Sequence, residues 1–390
     1  MSAFGNILGV RMNLMLGKGV PIPAPVDALE ALEELEIKLF DTAPTGFRMV
    51  FSVGRDGPLS LIGPKFIDDE RFKPDSRVVV TMIFDIKPTV IFDGVVTKRQ
   101  YIPGSQSHEG KLILFGHDLT CLLSREEKRV SHMALDETAI ANLIILSYAQ
   151  HGIVPIVIPP AVIDPPIPID RIPKQLCNDW AYLKLMAKRH GYHTYLDPGP
   201  APGLSTLYWG PVPRQGVPQK ALSVNIGPMS DAFDVTAIHN GEELTTVSTT
   251  VQDRNTGQDI PIETFGSTRR PQGLVPDYLT RYGQTRTTRL NTSGLNMAQA
   301  MGRAQGMVDN SNDNVVKISG KLNPVRYNGV LKPYDSCYLR GLGHVFNGEY
   351  RVSHVRHLIR PGTYEQSFEM KRGELYTAQP LVPVGGVAIA

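Results

Sequence analysis

Short apolar runs separated by polar, turn-forming residues recur over much of the first third of the chain. The runs Phe47–Val53, Arg77–Phe84, Thr89–Phe92 and Lys111–Phe115 are rich in β-branched and aromatic residues and are bounded by Gly, Pro or Asp, the pattern of strands with one buried face. They predict a first β-domain over residues 35–134, after an N-terminal segment, 1–34. The pattern then changes. Ile140, Leu143, Ile144 and Tyr148 recur at helical spacing, with Asp136 placed to cap and Gly152 to stop the helix. From Ile153 to Pro173, Pro and Ile dominate and predict an extended connector. A second helix is expected from about Gln175 to His190, with Leu176, Trp180, Leu183 and Ala187 on one face and Gly191 as its stop. Tyr192–Leu196 and Leu207–Trp209 read as short strands. These elements form a connecting α+β domain, 135–218.

Strand character returns at Ala221–Ile226, Ala232–His239 and Val315–Met370, and predicts a second, discontinuous β-domain over 219–240 and 313–375. The residues between, 241–312, are an insertion with a helix near Leu295–Val308. An apolar tail rich in Pro and Gly, 376–390, closes the chain and is expected to need a partner to order. The fold class is therefore mainly β with α+β insertions.

The two β-regions resemble each other. Lys73-Pro74-Asp75-Ser76 precedes one strand and Lys332-Pro333-Tyr334-Asp335-Ser336 another. Phe92-Asp93-Gly94 and Phe346-Asn347-Gly348 follow as expected tight hairpins, and then come the Gly-led strands from Gly110 and Gly362. Gly94 and Gly348 are expected at equivalent turns. A duplicated domain has a geometric consequence: three chains about an axis would present six similar domains.

Composition narrows the function. Hydrophobic residues at 42% and charged residues at 20% belong to a globular chain and exclude a disordered or fibrous one. A net charge of +2 gives no overall drive toward nucleic acid or acidic membranes. Cys121, Cys177 and Cys337 are too few and too scattered for a disulfide framework, which fits assembly in a bacterial cytoplasm. Neither a secretion leader nor a membrane span is indicated.

Several segments in order resemble the baseplate hub proteins of contractile-tailed phages, which include phage late control protein D and the N-terminal hub part of VgrG-type spike proteins. They are Val90–Val96, Gly116-His117-Asp118-Leu119-Thr120-Cys121-Leu122-Leu123, Asn178–Leu183 through Ala187–Tyr192, Trp209-Gly210-Pro211, Gly348–His357 and Gly362–Phe368. The resemblance implies two related tube-like β-barrel domains per chain and a homotrimeric, pseudo-six-fold ring acting as a symmetry adaptor. Its partners would be a hexameric inner tube protein, a trimeric spike and other baseplate components, in a phage tail or an injection particle. No β-helix follows the hub part, so the spike is expected to be a separate chain, with 376–390 docked on it.

Catalytic patterns are weak. His190 with His193 and His354 with His357 have metal-like spacings, but strand positions three apart point to opposite faces. Gly341-Leu342-Gly343 lacks the third glycine of a dinucleotide loop. Glu33-Glu34, Asp68-Asp69 and Glu126-Glu127 read as solvated pairs. The expectation is therefore no catalytic, metal or cofactor-binding residue, the rivals being a tail-associated cell-wall hydrolase and a nucleic-acid-binding module. Arg269, Arg270, Arg281, Arg286 and Arg289 form a basic run that reads as a solvated loop or a partner-binding arm, with only Tyr278 and Tyr282 nearby for base stacking.

Overall fold

The computed structural model describes residues 9–41, 44–53, 66–104, 109–160, 172–214, 217–252, 257–273, 285–291, 295 and 297–374. The tail 376–390, Arg281, Tyr278 and Tyr282 lie outside them. The first β-region contains β1 (Val10–Lys18), β2 (Leu32–Phe40), β3 (Gly46–Ser52), β4 (Ser76–Phe84), β5 (Lys87–Ile102) and β6 (Lys111–Asp118). They pair antiparallel in the order β2-β3-β6-β5-β4-β1. Leu14 and Leu16 of β1 share one core with Ile37, Phe51, Val78 and Leu114, so the ladder curls round its own apolar face. β1 was assigned to an N-terminal segment, yet it pairs with β4 along its whole length. Its alternation of buried Val10, Met12, Leu14 and Leu16 is an ordinary half-buried strand.

The connecting region holds α1 (Glu137–Leu146), β7 (Ile153–Val157), α2 (Asp179–Arg189), β8 (His193–Pro198) and β9 (Ser205–Gly210). Asp136 caps α1 through Thr138 and Ala139, as expected. The stretch read as an extended connector instead opens with β7, which pairs parallel to β9. The second helix starts at Asp179, capped by Asn178, which leaves Leu176 outside it and 70% exposed. Its buried face is Tyr182, Leu183, Met186 and Ala187, with Trp180 only half-buried. Trp209 fills this core and donates its indole N–H to the Leu183 carbonyl at 3.2 Å.

The second β-region contains β10 (Gln219–Ser223) and β11 (Ala232–His239). It resumes with β15 (Val316–Leu322), β16 (Ser336–Arg340), β17 (Gly348–Arg360) and β18 (Thr363–Arg372). Between lie β12 (Thr245–Gln252), β13 (Asp259–Glu263), β14 (Arg286–Thr288) and α3 (Met297–Asn312), with a separate small core. The order β11-β15-β18-β17-β16-β10 repeats that of the first region strand for strand. One difference is that β10 runs parallel to β16 whereas β1 runs antiparallel to β4.

The repeat is present in the pairing, but two residues away from where the glycines suggested. Asp75 and Tyr334 both take left-handed backbone (φ 71° and 72°) and donate their N–H to Val96 and Val352 at 2.9 and 2.8 Å. Bulges follow at Val96/Lys98 and Val352/His354. Val96 therefore matches Val352, and Gly94 matches Tyr350 rather than Gly348. Gly94 is mid-strand, and the actual β4–β5 turn is Asp85-Ile86. A Cβ on Gly94 would stand 2.2 Å from the His117 carbonyl, so close approach of β5 to β6, not a turn, calls for glycine there.

Candidate functional site

Two features of this frame stand out: a continuous ladder with a charged outer face, and a polar knot where the repeats meet. β17 outruns its partner β16 and pairs with β2 from His354 opposite Phe40 to Ile359 opposite Leu35. The two regions thereby join into one ladder, β11-β15-β18-β17-β2-β3-β6-β5. Its buried face carries Ile37, Leu39, Val355 and Ile359 at this joint. On the other face Arg356 meets Glu36 at 2.6 Å, Arg360 meets Glu34 at 2.7 Å and Arg48 meets Glu34 at 2.5 Å. Burial alone would raise Glu36, but Arg356 and Lys38 outweigh it and hold the carboxyl below its usual range. Glu33, also read as solvated, meets Lys111 across the sheet.

At the end of the joint Asp41 and Arg351 form a buried ion pair at 2.9 Å. The Asp41 N–H bonds to Ser353, and the Tyr334 hydroxyl donates to the Phe40 carbonyl at 2.6 Å. His354 stacks on Phe40 with ring centroids 4.2 Å apart. Tyr334 stacks on Tyr195 of β8, which draws the connecting region into the knot. A cavity of about 200 Å³ beside it is lined by Asp41, Asp118, Trp180, Lys184, His193 and Tyr334. Burial pushes Asp118 up to about 6 and His193 down to about 3. Asp118 accepts from the Thr120 N–H at 3.1 Å and from its hydroxyl, which gives the Asp118-Leu119-Thr120 motif a physical reason: it starts the one-turn helix Thr120–Leu123.

The metal-like histidines are not brought together. His354 faces the outer side, while His357 is buried, bonded to the Tyr364 hydroxyl at 3.0 Å and pushed down to about 3 by burial. His190 meets Glu137 at 2.6 Å. Among the described residues no group of three His, Cys, Asp or Glu side chains could hold a metal ion. Gly341 and Gly343 take positive φ in the β16–β17 connection. Asp69 pairs with Arg71. Asp93, expected in a turn, is buried and holds Arg77 at 2.7 Å and the Ser205 hydroxyl at 3.0 Å, tying β5 to the connecting region.

Arg269 is no solvated loop residue. It is buried against Asp313 and Asp309 and donates to the Gly191 carbonyl at 2.7 Å, so it clamps the insertion to the connecting region. Sequence reading missed Asp41, Arg351 and Tyr334. Two of them stood inside segments already singled out, Tyr334 in the Lys332–Ser336 motif and Arg351 in Gly348–His357, but neither segment pointed to a partner.

No protein-family model matches the sequence, and no curated protein matches it. Solved structures do. A tail protein from Neisseria meningitidis MC58 is 12% identical, with a TM-score of 0.61 over 94% of this chain and 98% of that one. The 43 kDa tail protein of prophage MuSo2 from Shewanella oneidensis is 10% identical, with a TM-score of 0.63 over 93% and 98%. An E. coli component of the type VI secretion system, described as similar in structure to the T4 phage tail proteins gp27 and gp5, is 11% identical. Its TM-score is 0.53 over 90% and 76%. The chain thus shares the fold of these tail and secretion-system proteins over 90–94% of its length.

Proposed function

We propose that this chain is a structural baseplate hub. Three copies form a ring of six tube-like β-barrels that joins a hexameric inner tube to a separate trimeric spike, within a phage tail or contractile injection particle assembled in the bacterial cytoplasm. One observation carries the reading: two regions with the same strand order lie side by side in a single ladder, so each chain supplies two similar faces to whatever stacks on it. The fold shared with tail and secretion-system proteins supports it. The hub works by shape and carries no chemistry of its own; hydrolysis of a cell wall would belong to a partner chain. Electron microscopy of the purified full chain tests this. Closed rings with three-fold averages support the hub, and single-chain particles at micromolar concentration refute it.

A further inference from the structure

The cavity beside the knot contains a buried carboxylate with no ion-pair partner among the described residues. Asp118 ends β6 on the face that carries Leu112 and Leu114 into the core, and it is 7% exposed. Only one of its oxygens is engaged among the described residues, by the N–H and hydroxyl of Thr120. Of its charged neighbours His117 favours the ionised form and Asp93 opposes it, and Asp93 is already paired with Arg77. The second carboxylate of the cavity, Asp41, is held by Arg351. With a pKa raised only to about 6, Asp118 is ionised at neutral pH, and an unpaired buried charge is the costly state.

The rest of the cavity is built by elements that converge on Asp118. Trp180, Lys184 and Lys188, four residues apart, form one stripe of α2 along it. Tyr192 and Tyr195, leading into and within β8, add aromatic wall. Both lysines are exposed at the rim, Lys184 with its ammonium 5.4 Å from the Trp180 ring centre, and neither has an acidic partner among the described residues. Charge therefore runs from negative within to positive at the rim, with aromatic rings that favour a cation between. At about 200 Å³ the cavity is smaller than the roughly 300–1,000 Å³ of pockets for drug-sized ligands, and it suits a single amino-acid residue.

We propose that this cavity is a binding site for a zwitterion, whose ammonium or guanidinium group enters to pair with Asp118 while its carboxylate stays at the rim on Lys184 and Lys188. A basic amino acid has that chemistry, whether free or in a peptide where an acidic residue follows it. A simple cation would meet the two lysines on its way in, and a simple anion would meet Asp118 inside. His193, kept neutral by burial, adds no positive charge to the wall. The site belongs to one chain and stands whether or not copies form a ring.

Calorimetric titration of the full-length chain at neutral pH tests this with three probes: L-arginine, the capped dipeptide acetyl-Arg-Glu-amide, and agmatine, which is arginine without its carboxylate. Arginine or the dipeptide should bind, and agmatine about tenfold more weakly. Asp118→Asn should weaken binding about tenfold or more, the loss of one charge-assisted contact. Lys184→Glu/Lys188→Glu, at exposed positions, should abolish binding of arginine and dipeptide while improving that of agmatine, with an unchanged circular dichroism spectrum; this variant decides alone if Asp118→Asn does not fold. Binding of the dipeptide only would assign the site to a partner chain, and binding of arginine to a free amino acid. No binding of any probe at millimolar concentration, agmatine as tight as arginine, or a folded Asp118→Asn that binds like the parent overturns the proposal.

Discussion

Arg351→Ala should be among the most damaging single changes in the knot that joins the repeats. Arg351 and Asp41 are 5% and 8% exposed, and the guanidinium is Asp41's direct partner at 2.9 Å. Removing one member of a buried ion pair strands the other, at a cost of about 3–5 kcal/mol. With a urea slope of about 3 kcal/mol/M, that moves the midpoint of the transition reporting the β-regions down by about 1–1.5 M. Asp41→Ala should cost a comparable amount, and the double variant little more than either, leaving a coupling nearly as large as either single loss. The pH dependence has a definite sign. Burial would raise Asp41, but Arg351, together with Lys371 and His193, outweighs it and holds the native carboxyl below its unfolded value. Its stabilisation is therefore present at neutral pH and lost as pH falls through the lowered native value. In Arg351→Ala the carboxyl rises and protonates sooner, so the deficit against the parent narrows as the pH falls into the acid range. Urea melts followed by far-ultraviolet circular dichroism measure all four proteins. An Arg351→Ala loss below about 1 kcal/mol, or additive singles, would show that the pair does not join the repeats.

Two further outcomes follow from burial. Trp209→Ala empties the core between α1, α2 and β9 and should cost about 3–5 kcal/mol, while Trp180→Ala, half-exposed under Lys184, should cost clearly less; equal midpoint shifts in urea would contradict the packing. Asp118 has its native pKa raised above the unfolded 3.8 to about 6, so its contribution is full below pH 3.8 and falls by about 3 kcal/mol as pH rises through 6. Asp118→Asn should remove that part of the slope, and an unchanged profile of melting temperature against pH would place the titration elsewhere.

The sequence was legible where the physics is local. Apolar runs such as Arg77–Phe84 became strands, with Val78, Val80, Met82 and Phe84 in the core, and Asp136 capped its helix through its own first turn, although that helix ends at Leu146 and Gly152 closes a separate 3-10 turn rather than the helix. Failures came where a distant contact decides. Asp93-Gly94 has turn chemistry, but the carbonyl of His117 and the guanidinium of Arg77 hold it in a strand. Arg269 belongs to a basic run that looks solvated, until Asp309 and Asp313 arrive on and beyond a helix some forty residues later. The joint itself was invisible because His354 and Phe40 are joined only through tertiary pairing, although the Lys-Pro motifs on either side pointed to the repeat.

Besides the reversed direction of β10, the repeats differ most at one end of their ladders, and that asymmetry bears on how a ring would match two symmetries. The short turn between β2 and β3 lies beside the exit of β6, since the Asp118 N–H bonds to Thr45. The connecting region leaves the ladder there. In the second region the counterpart of that turn, between β11 and β15, carries the whole insertion, and Arg269 clasps the connecting region from it. Both additions therefore stand at the same end and touch each other. At the opposite end, where β5 leads to β6 and β17 to β18, no further described element stands between the two strands in either region. A ring of three such chains would offer six strand-to-strand connections at that end and three composite projections at the other. On the proposed hub reading a hexameric partner would sit at that end and a trimeric one beneath the projections, so a block placed on Gly362 should interfere with tube binding and leave spike binding intact.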